Sequence, residues 1–341
     1  MNEILKYKKL MLSGFILVII LFIRQLPDTC LSRKASGRRQ DSVQARQAGR
    51  TGKTQWRAEN NPMQRYETLF CYLEEQKIPL EEVQHLFLDP RVEFYDNIAI
   101  NLYEPPAMDS YSSVMFHVKG KSYDIEEFIN TFGDQLANAE QIYGVDREAI
   151  VAVLFVETKL GNIIGKHSVF NILSSLALAD SPESLGKIEN YINENYHYQN
   201  FDGRRNLIEL YKERAVRKAE FARTEFASLL MLQIESHIDV LELPGSYAGA
   251  FGYPQFMPSN VQRYGIDGDG DGIVDLYSYP DAIMSVGNFL SRKGWSEDNS
   301  EQRRALLRYN NSQRYVTNVL ETAHSIKQEL SLCRRHPFGI R

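Results

Sequence analysis

Several features that identify common enzyme classes are missing from this sequence. Its three cysteines, Cys30, Cys71 and Cys333, form no metal-type Cys-x-x-Cys pair. The seven histidines are scattered and include no His-Glu-x-x-His, which argues against a zinc hydrolase. The glycine-containing stretch at residues 245–259 lacks the Gly-Lys-Ser/Thr of a phosphate loop. The sequence also has no internal repeat.

A net positive charge is confined to the N-terminal region of the chain. Up to Arg57 the chain has 12 Lys/Arg and 3 Asp/Glu, a net charge of +9, whereas the remainder has 27 and 41, a net charge of −14. A nucleic-acid-binding domain needs a basic surface, so an acidic folded part argues against nucleic acid as the main partner.

The only long apolar run, residues 10–23, is short for a membrane span. Basic residues precede it, as in an export signal, but no Ala-x-Ala site follows. We expect residues 1–30 to be an uncleaved N-terminal anchor or, as a second choice, a signal that leaves a lipid on Cys30. Residues 31–62 are basic and polar and predict a flexible linker. In an exported chain Cys71 and Cys333 can form a disulfide, but free thiols are favoured because buried free cysteines are common.

The rest of the chain is long enough for one large or two modest cores, and its periodicity is mainly helical. We expect a mainly α (α+β) fold, with residues 63–135 forming an N-terminal helical segment. One short strand is expected at residues 114–118, followed by a turn. Helices are predicted over residues 125–143, 149–161, 172–179, 185–195, 207–235 and 281–293, and a last helix is expected to begin after Tyr309 and Asn310 and to end near residue 330.

Residues 149–161 combine an apolar helical pattern with one carboxylate, that of Glu157. Asp146 stands at the expected N-cap and Gly161 at the expected end of the helix. Glu157 lies on the same stripe as apolar Ile150 and Leu154. Apolar surroundings raise the pKa of a carboxyl group, so Glu157 can serve as a proton donor near neutral pH. The alternative is a structural Glu paired with a basic residue.

The stretch Gly245–Ser259 combines glycines, prolines and aromatic residues with polar Ser246 and Gln255. Glycines allow the backbone to approach a ligand closely, and aromatic rings with an amide suit an N-acetylated sugar. The alternative is a structural glycine-rich loop.

A calcium-type loop follows. Residues 267–275 place Asp at positions 1, 3, 5 and 9, Gly at position 6 and a backbone carbonyl at position 7, as in an EF-hand. Position 12, normally Glu, is Ser278, and the next carboxylate is Asp281. The sequence therefore predicts a longer or weaker Ca²⁺ loop, or a metal-free acidic turn.

Taken together, these blocks resemble the membrane-bound lytic murein transglycosylase B family. The resemblance covers about residues 143–315 and is carried by these motifs: Tyr143-Gly-Val, Val156-Glu-Thr-x-x-Gly161, Gly165-Lys166, Arg217-Lys-Ala-Glu-Phe221, the stretch from Gly245 through Gln255-Phe-Met-Pro258, the Asp267 loop, Asp281-Ala-Ile, Gly294-Trp295, and Tyr309-Asn310 with Tyr315. Two departures are Pro254, where the family usually has Gly, and the short connection of about 13 residues between Trp295 and Tyr309.

The resemblance implies a lysozyme-like catalytic domain over residues 136–335 with an EF-hand-like loop. It implies cleavage of the β-1,4 bond between N-acetylmuramic acid and N-acetylglucosamine in peptidoglycan, without water, leaving 1,6-anhydromuramoyl ends. Glu157 would be the catalytic acid and base, and no organic cofactor is expected. The substrate groove would contain Ser246, Gln255, Phe256, Tyr309, Asn310 and Tyr315. A structural Ca²⁺ would be bound by Asp267, Asp269, Asp271, the Ile273 carbonyl, Asp275 and Asp281.

The expected partners are peptidoglycan glycan strands and, through the N-terminus, the membrane on the extracytoplasmic (periplasmic) side. Two alternatives remain open: a muramidase that uses water, and a non-catalytic peptidoglycan-binding scaffold. A calcium sensor is disfavoured, because a single modified loop suggests a structural ion.

Overall fold

A computed structural model describes residues 62–101, 122–197, 199–236 and 238–335. The expected anchor (1–30), the linker up to residue 61, and the strand and turn expected at residues 114–121 lie outside the described residues. So do Cys30 and the side chain of Cys333, so the disulfide with Cys71 stays a prediction.

The described residues are mainly helical, as expected. The α-helices span Pro62–Arg65, Glu67–Glu75, Leu80–Val83, Ile98–Asn101, Ser122–Thr131, Gly133–Tyr143, Arg147–Thr158, Val169–Leu176, Pro182–Asn195, Phe201–Ser236, Pro258–Tyr264, Tyr279–Arg292, Asn299–Tyr309 and Gln313–Arg335, with a 3-10 helix at Gln84–Leu88. The described strands, His167–Ser168 and Pro244–Gly245, pair antiparallel, with His167 opposite Gly245 and Ser168 opposite Pro244.

Several predicted boundaries were wrong, and local chemistry explains most of them. The helix expected over residues 125–143 is two helices that meet at Phe132, whose backbone is not helical (φ −108°, ψ 23°). The helix expected from residue 172 begins at Val169, because the Ser168 hydroxyl group accepts a hydrogen bond from the Asn171 N–H and caps its first turn. Ser181 caps the next helix in the same way, so that helix begins at Pro182.

Tyr309 and Asn310 were expected in a loop before the last helix, but the short connection after Trp295 contains the helix Asn299–Tyr309. The Asp298 side chain accepts a hydrogen bond from Ser300 N–H at its start. Tyr309 is therefore the last residue of a helix, and Asn310 is its C-cap.

One hydrophobic core crosses the boundary expected between residues 135 and 136. Buried Leu69, Leu73 and Phe128 belong to the same core cluster as Leu136 and Ile150. Residues from Pro62 onward form one compact unit. The helix Arg147–Thr158 lies inside this core and packs against the last helix, Gln313–Arg335. Among the described helices, none is both long enough and apolar enough to cross a membrane.

Candidate active site

The helix Arg147–Thr158, which we call the Glu157 helix, is buried along most of its length. Its residues from Ala149 to Phe155 are all buried, which explains why it is apolar on every face. Asp146 occupies the N-cap position but does not cap the backbone. Its carboxylate accepts a hydrogen bond from Trp295 Nε1 at 3.2 Å and lies 3.7 Å from Lys327 Nζ. Asp146 therefore ties the start of the helix to the C-terminal part of the chain.

The other end of the helix is unusual. It ends at Thr158, three residues before the expected Gly161, because Lys159, Leu160 and Gly161 all have left-handed backbone conformations (φ 53°, 54° and 80°). Two successive non-glycine residues in this region cost conformational energy, so other contacts must hold the turn. The Thr158 hydroxyl group supplies one of them, because it accepts a hydrogen bond from the Gly161 N–H and lies 3.0 Å from the Tyr253 carbonyl.

Glu157 lies in the last turn of this helix and is partly exposed. Burial in apolar surroundings raises its pKa to about 7, and a hydrogen bond from the Tyr315 side chain opposes part of that rise. A group with a pKa near 7 can donate a proton and then take one back at neutral pH. The structural alternative, a Glu paired with a basic residue, finds no support in the described residues, because the pKa of Glu157 is not lowered by any cation.

Tyrosine rings line the surroundings of this carboxyl group. Tyr309 and Tyr315 stack nearly parallel, with ring centroids 6.0 Å apart. The pKa of Tyr309 is well above its usual value, because the group is desolvated and the negative charge of Glu157 disfavours a phenolate. Tyr309 therefore stays a neutral phenol, and its hydroxyl group donates to the Pro254 carbonyl at 2.6 Å.

Phe256 was expected to contact substrate, and this expectation was wrong. Its side chain is 1% exposed and lies in the core. Its ring packs 5.6 Å from Phe289 and 5.7 Å from Tyr309. A ring that solvent does not reach cannot stack on a sugar, so Phe256 supports Tyr309 from behind.

Gln255 lies in a tight turn beside the Glu157 helix. It has a left-handed backbone (φ 50°), and its Nε2 donates to the Gly252 carbonyl at 2.9 Å and, more weakly, to the Ile164 carbonyl at 3.4 Å. The amide group therefore bridges the turn at residues 252–256 and the loop after the Glu157 helix. Its carbonyl oxygen is left to accept hydrogen bonds from a ligand.

Ser246 organises a neighbouring turn. Its Oγ accepts hydrogen bonds from the N–H groups of Ala248 (3.3 Å) and Ala250 (3.1 Å). The loop after the Glu157 helix touches this turn closely, because a Cβ added to Gly165 would lie 2.2 Å from the Gly245 carbonyl oxygen. Gly165 also has φ +88°, so its position requires glycine. Asn310 is partly exposed after Tyr309, and its carbonyl accepts from the Ser312 N–H at 2.7 Å.

Three of the predicted metal ligands come together. One carboxylate oxygen each from Asp267, Asp269 and Asp281 lie within 4.8 Å of one another. Asp281 is 1% exposed, and its pKa is raised by burial and by the charges of the other two carboxylates. Such a cluster of hard oxygen ligands with a buried anion fits Ca²⁺.

The remaining predicted ligands are not part of this cluster. The carboxylates of Asp271 and Asp275 accept hydrogen bonds from the N–H groups of Ile273 and Tyr277, respectively, and so fold the loop. Ile273 is 46% exposed. Asp281, the next carboxylate beyond the twelve-residue pattern, therefore lies beside Asp267 and Asp269, and its role as a ligand stays a prediction.

Sequence reasoning made no prediction for one buried residue that holds the chain beside the Gln255 turn. Glu225, 5% exposed on the long helix Phe201–Ser236, accepts hydrogen bonds from Ser259 N–H (3.0 Å) and Oγ (2.9 Å). It fixes the chain just after the Gln255 turn. The helical spacing of Glu225 from buried Ala222 and Leu229 was the available signal, because a carboxylate on a buried face needs a partner.

A sequence profile described as Transglycosylase SLT domain matches residues 74–305. This chain therefore belongs to the transglycosylase SLT domain family, and the resemblance found in the sequence is confirmed. The membrane-bound lytic murein transglycosylase B of Escherichia coli (strain K12) is 31% identical over 214 residues, which cover 62% of this chain and 48% of the relative. The chain thus matches about half the length of that protein.

Solved structures show the same fold. The soluble lytic transglycosylase SltB1 from Pseudomonas aeruginosa has a TM-score of 0.60 at 24% identity, covering 79% of this chain and 99% of that one. The Escherichia coli lytic transglycosylase Slt35, in complex with calcium, has a TM-score of 0.56 at 20% identity, covering 79% and 93%.

Proposed function

We propose that this protein is a lytic transglycosylase that cleaves the β-1,4 bond between N-acetylmuramic acid and N-acetylglucosamine in peptidoglycan. The observation that carries the proposal is the desolvated Glu157 carboxyl group, with a pKa of about 7, beside Tyr309 and Tyr315. Family membership over residues 74–305 supports the reaction class, and the murein-cleaving relative supports the substrate.

The reaction needs only one carboxyl group if no water takes part. Protonated Glu157 donates its proton to the glycosidic oxygen while the bond from that oxygen to C1 of the muramic acid breaks. The oxygen of the C6 hydroxyl group then forms a bond to C1, and its proton passes to Glu157. Glu157 ends as it began, and the product has a 1,6-anhydro ring. The acetamido group of the sugar stabilises the cationic intermediate, an exception to the two-carboxylate rule.

The surrounding residues have separate tasks in this proposal. Burial keeps Glu157 protonated near neutral pH, and the Tyr315 hydrogen bond stabilises the carboxylate formed after the first step. Gln255 and Asn310 present amide groups to the acetamido groups, and Ser246 acts through the turn that it folds. Phe256 makes no contact with the substrate in this proposal and supports Tyr309 by packing against its ring.

A pair of variants tests the assignment. Glu157→Gln should abolish peptidoglycan lysis while leaving the fold and the binding of chitooligosaccharides intact. Glu148→Gln, on the first turn of the same helix, is the matched control and should keep full activity. Near-normal turnover by Glu157→Gln would refute the proposed role, and sugar binding without turnover by the wild type would favour a scaffold.

We also propose that Asp267, Asp269 and Asp281 bind a structural Ca²⁺, with the Ile273 carbonyl as a further ligand. The carboxylate cluster supports this, and so does the calcium in the complex of Slt35. The ion would neutralise three close carboxylates and fix the loop that leads to the helix Tyr279–Arg292. An unchanged melting curve of the wild type after chelation would refute the proposal.

We further propose that the N-terminus holds the enzyme at the extracytoplasmic face of a membrane. The apolar run at residues 10–23 and the membrane-bound relative support this. Fractionation should place the full chain with membranes and a chain starting at Pro62 in the soluble fraction; equal partitioning of the two would contradict an N-terminal anchor.

A further inference from the structure

The segment of residues 276–279, which we call the brace, contacts three neighbouring turns. They are the Gln255 turn, the Ser246 turn and the turn that ends the Glu157 helix. The brace follows the acidic loop and ends at Tyr279, the first residue of the helix Tyr279–Arg292. The Asp275 carboxylate accepts from the Tyr277 N–H at 2.8 Å, and the Asp275 N–H donates to buried Asp281 at 2.7 Å. The Ser278 hydroxyl group donates to Asp269 at 3.2 Å. The brace is therefore anchored to the acidic loop and to the first turn of the following helix.

The first brace contact holds the Gln255 turn. The Leu276 carbonyl accepts a hydrogen bond from the Tyr253 N–H at 2.9 Å. Gly252 approaches Leu276 so closely that an added Cβ would lie 2.4 Å from the Leu276 Cβ. The turn that presents Gln255 therefore rests directly on the brace.

The second contact holds the Ser246 turn. The hydroxyl group of Tyr277 donates to the carbonyl of Pro244, two residues before Ser246. Burial raises the pKa of Tyr277 far above neutrality, so this hydroxyl group remains a donor at any pH at which the protein works.

The third contact holds the end of the Glu157 helix. The Tyr279 hydroxyl group donates to the Leu160 carbonyl at 2.8 Å, within the left-handed turn three residues after Glu157. A Cβ added to Gly161 would lie 2.7 Å from the Tyr279 hydroxyl oxygen, so the turn and this hydroxyl group are in tight contact. The Tyr279 ring is itself fixed, stacked 4.3 Å from Tyr253 and packed 4.8 Å from Phe132.

We infer that Tyr279 is a positioning residue for the reaction: through the Leu160 carbonyl it holds the strained turn that sets the position of the Glu157 carboxyl group. A turn with two non-glycine residues in the left-handed region relaxes unless it is held. Misplacing a reacting group by about 1 Å can cost up to about 100-fold in rate, so one lost hydrogen bond at this point affects catalysis more than stability. The inference rests on the proposed transglycosylase activity.

Tyr279→Phe removes only the hydroxyl group and keeps the ring stack. We expect kcat on peptidoglycan to fall roughly tenfold, because the Glu157 carboxyl group is no longer held in position. KM should stay within about twofold, because the residues proposed to bind the sugars are unchanged. The matched control is Tyr264→Phe, which removes a tyrosine hydroxyl group that contacts Lys293 Nζ at 2.6 Å. The control should lose a similar amount of stability and retain its kcat.

Hydrogen exchange of the full chain gives a readout independent of activity. Amides of residues 158–165 should exchange faster in Tyr279→Phe than in the wild type, and no faster in Tyr264→Phe. Unchanged exchange in Tyr279→Phe, a kcat within twofold of the wild type, or equal losses of kcat in both variants would overturn the inference. A wild type that forms no anhydro products would instead refute the proposed function, and the exchange experiment would still test the brace.

Discussion

Glu157→Gln should make the protein more stable at pH 8 even as it removes the proposed activity. The folded state raises the pKa of Glu157 from 4.5 to about 7, so between these values it binds more protons than the unfolded chain. Stability therefore falls as the pH rises through this window. Gln has nearly the same shape as Glu and no charge. The variant therefore avoids the free-energy cost of burying an ionised carboxylate, and its side-chain oxygen still accepts the hydrogen bond from Tyr315.

The size of the stability difference follows from the shift in the pKa of Glu157. A pKa displaced by one unit corresponds to about 1.4 kcal/mol, so a displacement from 4.5 to about 7 corresponds to about 3 kcal/mol above pH 7. For a folded unit of this size, that raises the melting temperature by roughly 6 °C. At pH 4 Glu157 is largely protonated in both states, so the two proteins should melt at nearly the same temperature.

The assay is urea unfolding of both proteins across pH 4 to 8, followed by tyrosine fluorescence or circular dichroism. We expect the variant to become increasingly more stable than the wild type as the pH rises from 4.5 to 7. Parallel curves, or a variant less stable at pH 8, would show that Glu157 is not desolvated as described.

Other perturbations have equally definite outcomes. Lys159 Nζ is buried over the Phe155 ring, without a hydrogen-bond partner among the described residues, and desolvation lowers its pKa. Lys159→Met should therefore stabilise the protein by roughly 1–3 kcal/mol in urea unfolding at pH 7, and this gain should shrink as the pH rises from the lowered folded pKa toward the unfolded lysine pKa of 10.5. Glu225→Ala should cost roughly 3 kcal/mol in the same assay, because it leaves Ser259 N–H and Oγ buried and unpaired, and an effect under 1 kcal/mol would contradict this. Calcium should raise the melting temperature of the wild type, and Asp267→Ala should remove that increase, whereas magnesium should have little effect on either protein.

The sequence predicted the helical class and the main site because both depend on local patterns. An apolar helix with one carboxylate indicated a perturbed Glu157, and the spacing of the acidic loop led to Asp281. These features can be inferred because periodicity and ligand spacing act within about fifteen residues along the chain.

What the sequence did not predict depends on contacts between distant segments. Phe256 belongs to a motif typical of a groove, yet its ring is in the core, because the turn at Gln255 directs the next side chain inward. The Tyr279 contact with the Leu160 carbonyl joins residues 119 positions apart. No local pattern distinguishes that hydroxyl group from those of the other 18 tyrosines in the chain.

The most direct test of the central claim is mass analysis of muropeptides released from purified peptidoglycan by the protein. The account predicts products lighter by one water than those of a muramidase, because the C6 hydroxyl group replaces water as the attacking group. Products with reducing ends would contradict the account and would require a base that activates water near Glu157.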